Sequence, residues 1–509
     1  MVYHVPVVGI SISVLICFVL LAIYRLYLSP YAAFPGPKLA ALTHWYTFYY
    51  DVTKGGQYIY KIEQLHKIYG KRQSFLSFML LLTLMAPGPV LRISPDEVHI
   101  NDPDFYDILF SNGKRDKPPT WAAAFGNPGS MFSTTPHNLH RVRRSALSPY
   151  FSPASVRRLE PLIQDDISRL IAIFRRYQKS AEPIPLKAAF AALTSDIITE
   201  SCFATQENYI EASDFNAIVL VASEGATDNL HFVLQFKWIV PLIKSLPDKV
   251  VVMLLGPGMA LLHQFQRHCE AQIKNVLLAQ HDYQIDVKHK TIFHDILDSD
   301  IPPQEKTADR LWQEAQTIVS AGTVTTATTL SSMLVYLLLD PPKLHALLQE
   351  LEEAIPDISK PASHKELEKL PYLTAVIQET LRIVSGVSFR LARSAPDEAL
   401  QCGETFIPPN VSLLNALFTT KRFRLRAYLM NYPDKSMHAR LSPPPLPHSL
   451  PSPHVFPPRA LASGRDGESQ IPGPVFPRHE ALSRDGIGEC GTVHDRCDGA
   501  EGLCEDGDF

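Results

Sequence analysis

Ala321-Gly322-Thr323-Val324-Thr325-Thr326, read with Glu379-Thr380-Leu381-Arg382 further along, decides how this chain folds. The first stretch sets a glycine and several hydroxyls inside an apolar helical pattern. Glycine there costs about 1 kcal/mol relative to alanine, and threonine can bond back to the preceding turn. Such residues favour a distorted helix with room beside it, or else a crossing where small side chains let two helices approach closely. The second stretch places Glu379 and Arg382 three residues apart on one helix face. An exposed pair of this kind contributes only a few tenths of a kcal/mol, roughly.

Outward from these two points, apolar residues recur at helical spacing over 155–177, 186–202, 215–224, 257–281, 309–339 and 342–354. The proline pairs Pro302-Pro303 and Pro341-Pro342 mark helix starts. Residues 56–70 read as a helix ending on Gly70. Short strands are expected at 89–93 and 97–100, and more strand signal lies within 385–414. The fold class is mostly α with a small β region. Residues 71–88, with the apolar run 74–85, read as an insertion foreign to the fold or as a loop dipping into a membrane.

From Val5 to Leu28 there is no Asp, Glu or Lys, and Arg25 is the only strong charge. At about 1.5 Å per residue this helix reaches roughly 36 Å, enough to cross a hydrocarbon core of about 30 Å. A cleaved signal peptide is the alternative, but the run is long, no basic residue precedes it and no clean small-x-small site follows. Arg25 and Lys38 follow the span, so the body belongs on the cytosolic side and the N-terminus in the lumen. Residues 1–30 are therefore read as a single-pass anchor. Phe34-Pro35-Gly36-Pro37 then forms a stiff break, a hinge for the body or an ordinary linker.

Apolar residues make up 46% of the 509, ample for a core, and the net charge of -4 gives no footprint for nucleic acid. Seven cysteines, scattered except near the end, argue for reduced thiols rather than a secreted disulfide framework. Past Leu414 the composition shifts. Residues 415–509 carry Pro443-Pro444-Pro445-Leu446-Pro447 and repeated Val-Phe-Pro and Arg-Asp-Gly phrases, a composition expected to be disordered. It reads as a reading-frame accident or as a proline-rich docking segment.

Two further motifs stand in register with the first two. His137-Asn138-Leu139-His140-Arg141 precedes Arg143 and Arg144, and Phe389-Arg390-Leu391-Ala392-Arg393 follows the Glu379 helix. Taken alone, the former could be a solvated basic helix or a His pair on a metal. Together the four motifs resemble the cytochrome P-450 (haem-thiolate monooxygenase) family over roughly residues 31–414. The phrases Gly36-Pro37-Lys38-Leu39-Ala40 and Asn101-Asp102-Pro103-Asp104-Phe105-Tyr106 look most like fungal, trichodiene oxygenase-like members. The resemblance implies the cytochrome P-450 fold and a haem cofactor. Ala321, Gly322 and Thr325 would be the catalytic oxygen-side residues, with Val324 standing where the family usually has an acid. His137, Arg141 and Arg393 would hold haem propionates, and Glu379–Arg382 would be a buried structural pair. Arg143 and Arg144 would lie at the surface where an electron donor docks. The implied partners are an NADPH-dependent flavoprotein reductase, an apolar small-molecule substrate and the endoplasmic reticulum membrane.

The family's Phe-x-x-Gly-x-Arg-x-Cys-x-Gly loop, whose thiolate binds iron, is not spelled anywhere in the 509 residues. Cys490 has Gly486 four residues before it, but Ser483, Gly488 and Thr492 occupy the other positions, and Cys497 and Cys504 match worse. With His494 these cysteines lack the paired spacing of a zinc site. The metal ligand is thus unassigned. The expected activity is oxidation of an apolar, terpenoid-like metabolite with dioxygen. The contrasting readings are a haem-free, catalytically inactive remnant held at the membrane, and a proline-rich adaptor acting through 433–477.

Overall fold

The computed structural model describes residues 4–79, 89–110, 113–180, 182–228, 230–236, 238–281, 291–357, 360, 362–384 and 390–415. The readings placed on 80–88, Phe389, the proline-rich stretch, and Cys490, Cys497 and Cys504 lie outside these residues.

The apolar N-terminal segment forms a helix, His4–Ile23, that runs into a wider turn at Tyr24–Leu28. Its window Ser11–Leu28 has mean hydropathy 2.2 and none of it is buried, so it is long and apolar enough to cross a membrane. The following proline segment is packed rather than loose. Phe34 is buried, the Arg92 N–H donates to the Pro35 carbonyl, and a Cβ at Gly36 would meet the Arg92 carbonyl oxygen at 2.2 Å. Arg25 donates to the Leu42 carbonyl and Arg92 donates to the Arg25 carbonyl, so the end of the apolar helix is tied to the body from both sides.

The body is built on one long helix, Ala308–Leu338. It too is long and apolar, but Leu311, Ala315 and Val319 are fully buried in the largest core cluster, with Cys202, Phe203, Cys269, Ile273, Phe293 and Ile296. Helices Leu186–Phe203, Ile218–Asp228 and Pro257–His281 surround it. Beyond its C-terminal half, Leu337 packs with Leu347 of Pro341–Ala354 and with Ala375 and Val376 of Pro371–Ile383.

The β region is small. Strand β1 (Val90–Arg92) pairs antiparallel with β2 (Glu97–Ile100), Leu91 opposite His99. The hairpin β3 (Leu400–Cys402) and β4 (Thr405–Ile407) turns at Gly403, whose φ of +56° suits glycine. Strand β5 (Ser412–Asn415) joins β2 in parallel, Val98 opposite Leu413.

Three expected boundaries move. The helix read as stopping at Gly70 continues to Met79. The 155–177 helix is two, Pro153–Arg158 and Glu160–Ser180, because Pro161 has no N–H to continue the first ladder. The 215–224 helix begins only at Ile218, because Phe215 and Asn216 have φ of +60° and +33° and cannot be helical.

Candidate functional site

The central helix stays α-helical through Ala321–Thr326, so the expected distortion is absent. The physical reason lies in how each small residue is used. A Cβ at Gly322 would meet Ile198 Cγ1 at 3.1 Å, so the missing side chain lets the Leu186–Phe203 helix approach. Thr323 is buried in the same contact. Its hydroxyl lies 3.0 Å from Ser195 Oγ, and its carbonyl accepts from Thr194 Oγ1 at 3.2 Å. Ala321 and Thr325 face the other way and are exposed. Thr325 Oγ1 donates to the Ala321 carbonyl at 2.8 Å, closing the back-bond within one turn. Gly322 therefore serves helix crossing, while Ala321 and Thr325 mark an open stripe.

N-terminal to this stripe, a loop is stitched to the same helix. Asn127 Nδ2 donates to Thr317 Oγ1 at 2.7 Å, the Gly129 N–H donates to Gln313 Oε1 at 2.8 Å, and the Met131 N–H donates to Glu314 Oε2 at 3.0 Å. The loop leads into the helix His137–Leu147, whose first N–H is taken by Asp116 Oδ1 at 2.8 Å. At 3.6 residues per turn, His137, His140, Arg141 and Arg144 share one face of that helix. His137 Nδ1 accepts from the Arg115 N–H at 3.3 Å, which leaves the proton on Nε2, free to donate. Arg141 is exposed on this face.

Arg143 points away from that face and corrects an expectation. It is buried, its Nε donates to Glu305 Oε2 at 2.6 Å, and its Nη1 donates to the Pro128 carbonyl and Thr134 Oγ1. A guanidinium so engaged is a structural tie and not a docking surface; Arg144 remains exposed.

Arg393 pairs by its backbone with Leu413, and the next residue, Ser394, pairs with Asp116. These are isolated bridges, so near Arg393 the strand signal expected within 385–414 amounts to two contacts. The Arg393 guanidinium lies over the Phe110 ring at 5.3 Å and the Trp121 ring at 5.9 Å. It donates to the Ala392 carbonyl. Burial pushes its pKa down to about 10. Lys117, across the bridge, is also buried, and burial followed by Arg393 and Arg144 pushes it down to about 7. Burial, then Lys117, Arg144, Arg393 and His137, pushes His140 down to about 4, so its ring is neutral at pH 7. Among the described residues no carboxylate pairs with Lys117, His140, Arg144 or Arg393. This is a concentration of donors and positive charge suited to a carboxylate ligand.

Glu379 and Arg382 form a two-pronged pair, Nε to Oε2 at 2.7 Å and Nη2 to Oε1 at 2.5 Å, largely shielded from solvent. Their helix packs against the far part of the central helix.

Sequence reasoning missed Lys117 and Arg390. Arg390 is held by Asp51 and by Glu97 at 3.2 Å and lies over the Tyr58 ring. The only sequence signal for Lys117 was its place in Lys114-Arg115-Asp116-Lys117 ahead of two prolines. The described cysteines, Cys17, Cys202, Cys269 and Cys402, are free thiols, and burial pushes those of Cys202, Cys269 and Cys402 up. Among the described residues no three His, Cys, Asp or Glu side chains gather as a metal site.

The family model described as "Cytochrome P-450" matches residues 87–422. The chain is 42% identical to the cytochrome P-450 monooxygenase tpcC of Cochliobolus heterostrophus, over 78% of this chain and 72% of that protein. It is 40% identical to the tryptophan 6-hydroxylase fscE of Fusarium equiseti, over 79% and 76% of the two chains. A third relative is the conidiogenone synthase PchP450 of Penicillium rubens, 36% identical over 77% of this chain and 74% of its own length.

Proposed function

The chain belongs to the cytochrome P-450 family of haem-dependent monooxygenases, in its fungal branch, and from that premise we propose that it places one oxygen atom on an apolar small molecule of secondary metabolism, terpenoid or indole in type. The observation that carries the site assignment is the unpaired basic group around Arg393. Guanidinium, ammonium and imidazole donors converge there, no carboxylate among the described residues pairs with them, and they fit the carboxylate edge of a haem. His137, Arg141 and Arg393 are the residues assigned to that edge.

Bound haem would supply oxygen activation, with a cysteine thiolate donating electron density to it in this family. Ala321 and Thr325 offer an exposed helical stripe, and Thr325 Oγ1 holds a transferable proton now given to the Ala321 carbonyl. Val324 carries no carboxyl, so that proton has to be replenished from another donor. General acid participation contributes about a hundred- to ten-thousand-fold. Electrons are assigned to an NADPH-dependent flavoprotein reductase, and the segment Ser11–Leu28 to an anchor in the endoplasmic reticulum.

The sulfur donor decides between this reading and a haem-free remnant, because burial holds Cys202, Cys269 and Cys402 as thiols. The test is the Soret spectrum, and the reduced spectrum under carbon monoxide, of the purified full chain. A thiolate-type band is expected. Protein that takes up no haem, or takes it up without a sulfur signature, overturns the monooxygenase reading.

A further inference from the structure

We infer that Lys117, opposite Arg393, is a further carboxylate-holding residue of the haem site, an assignment that rests on the family reading above. Asp116 and Ser394 exchange two backbone hydrogen bonds of 2.9 Å in an antiparallel bridge. That register sets residue 117 directly across from residue 393, with both side chains on the same face. The Lys117 N–H also donates to the Thr135 carbonyl at 3.0 Å, which fixes it just ahead of the His137–Leu147 helix.

The ammonium is held but not neutralised. Lys117 Nζ donates to the Phe132 carbonyl at 2.6 Å and the Met131 carbonyl at 3.4 Å, and lies 5.6 Å from the Phe132 ring centroid. An ammonium has three N–H donors, so one remains. Among the described residues no carboxylate is in ion-pair contact with it, and Glu314, which acts on it from a distance, is engaged elsewhere. Glu314 pairs with Arg310 and accepts the Met131 N–H, and Asp116 accepts the His137 N–H. Around it stand Arg393, Arg144 and His140. Like charges facing each other across an antiparallel pair destabilise a fold. A purely structural lysine gives no reason to keep that repulsion; an anionic ligand does.

The charge state gives a second consequence. With its pKa near 7 in the free protein, Lys117 is mostly neutral at pH 8. A propionate arriving beside it favours the ammonium, so haem capture at pH 8 takes up a proton. Stability of the free protein follows the same linkage. The unfolded chain binds the proton up to its ordinary pKa of 10.5, the folded chain only below about 7, so stability rises as pH climbs between those values.

The experiment uses the full chain stripped of haem, with Lys117→Met and Lys117→Arg beside wild type. Haemin and its dimethyl ester, which lacks free carboxylates, are titrated into each, and thermal melts are recorded without ligand. A charge-assisted hydrogen bond corresponds to roughly a ten- to hundredfold change in affinity. Lys117→Met is expected to lose that much for haemin, to bind the dimethyl ester as wild type does, and to have an unchanged or higher Tm; Lys117→Arg is expected to keep haemin. Calorimetry at pH 8 in two buffers of different ionisation enthalpy should detect proton uptake in wild type and none in Lys117→Met. Equal haemin binding by wild type and Lys117→Met overturns the inference alone. So does a parallel loss for both porphyrins with a fallen Tm, the outcome for a lysine that merely ties two carbonyls. Wild type that binds neither porphyrin overturns the family reading and this inference together.

Discussion

His66 and His99 meet with Nε2 and Nδ1 2.7 Å apart, joining the Tyr58–Met79 helix to strand β2. One ring must donate and the other accept, so the accepting ring is neutral and the contact cannot survive protonation of both. Burial pushes His66 down to about 4, and burial followed by His66 pushes His99 well below its ordinary value of 6.5. The unfolded chain therefore binds more protons than the folded one between about 6.5 and about 4. Stability present above pH 6.5 should drain away as pH falls through that window. Replacing His99 with Gln removes one titrating partner and should flatten this acid limb. Urea midpoints at pH 7 and pH 4.5 measure it, and parallel losses in wild type and H99Q would refute the account. At this scale the sequence was uneven. The Glu379–Arg382 pair was legible because its signal lies within one short motif. His66–His99 and Lys117–Arg393 were not, because partners so far apart in the chain are matched only by tertiary register.

Helices were legible where period and punctuation agreed. Leu186, Pro257 and Ala308 begin elements within a residue of their expected starts, since apolar spacing there is not interrupted. At Gly322 the crossing, expected as the alternative, forms in place of the distorted helix. Propensity alone marks it as a weak point in the central helix, but propensity cannot say that Ile198 will occupy the space a side chain would need. The two helices form one of the most extensive contacts in the fold. Gly322→Ala should be close to neutral, its helix gain of about 1 kcal/mol offset by moving Ile198 a few tenths of an ångström. Gly322→Leu overpacks the crossing and should cost about 1–3 kcal/mol. Ile198→Ala in the Gly322→Leu background should recover part of that loss. Denaturant unfolding of the single and double variants measures the coupling; additive costs would show that the two side chains do not compete for the same space.

The sheet is completed where segments far apart in the chain meet. Strand β5 lies beside β2, and through Leu413 it also holds Arg393. The same strand thus completes the sheet and positions the basic group assigned to the cofactor. Val411, Leu413 and Leu414 are each at most 2% exposed. At about 1.5–3 kcal/mol for each fully buried aliphatic side chain, their removal forfeits several kcal/mol. That is comparable with the entire stability of a typical domain, about 5–15 kcal/mol. It also strips β2 of its parallel partner, leaving only β1, along a buried edge where unpaired N–H and C=O groups are costly. A chain ended after Pro409 should therefore lose its cooperative melt, or melt far below the full chain, although the central helix and its neighbours are all retained. Ending the chain this way leaves Arg393 in the sequence but without its backbone partner, so haemin binding should fall with stability. Scanning calorimetry and haemin titration of the truncated and full chains decide the matter. A truncated chain with an unaltered transition would mean that the helical body stands alone and that β5 is an accessory to it.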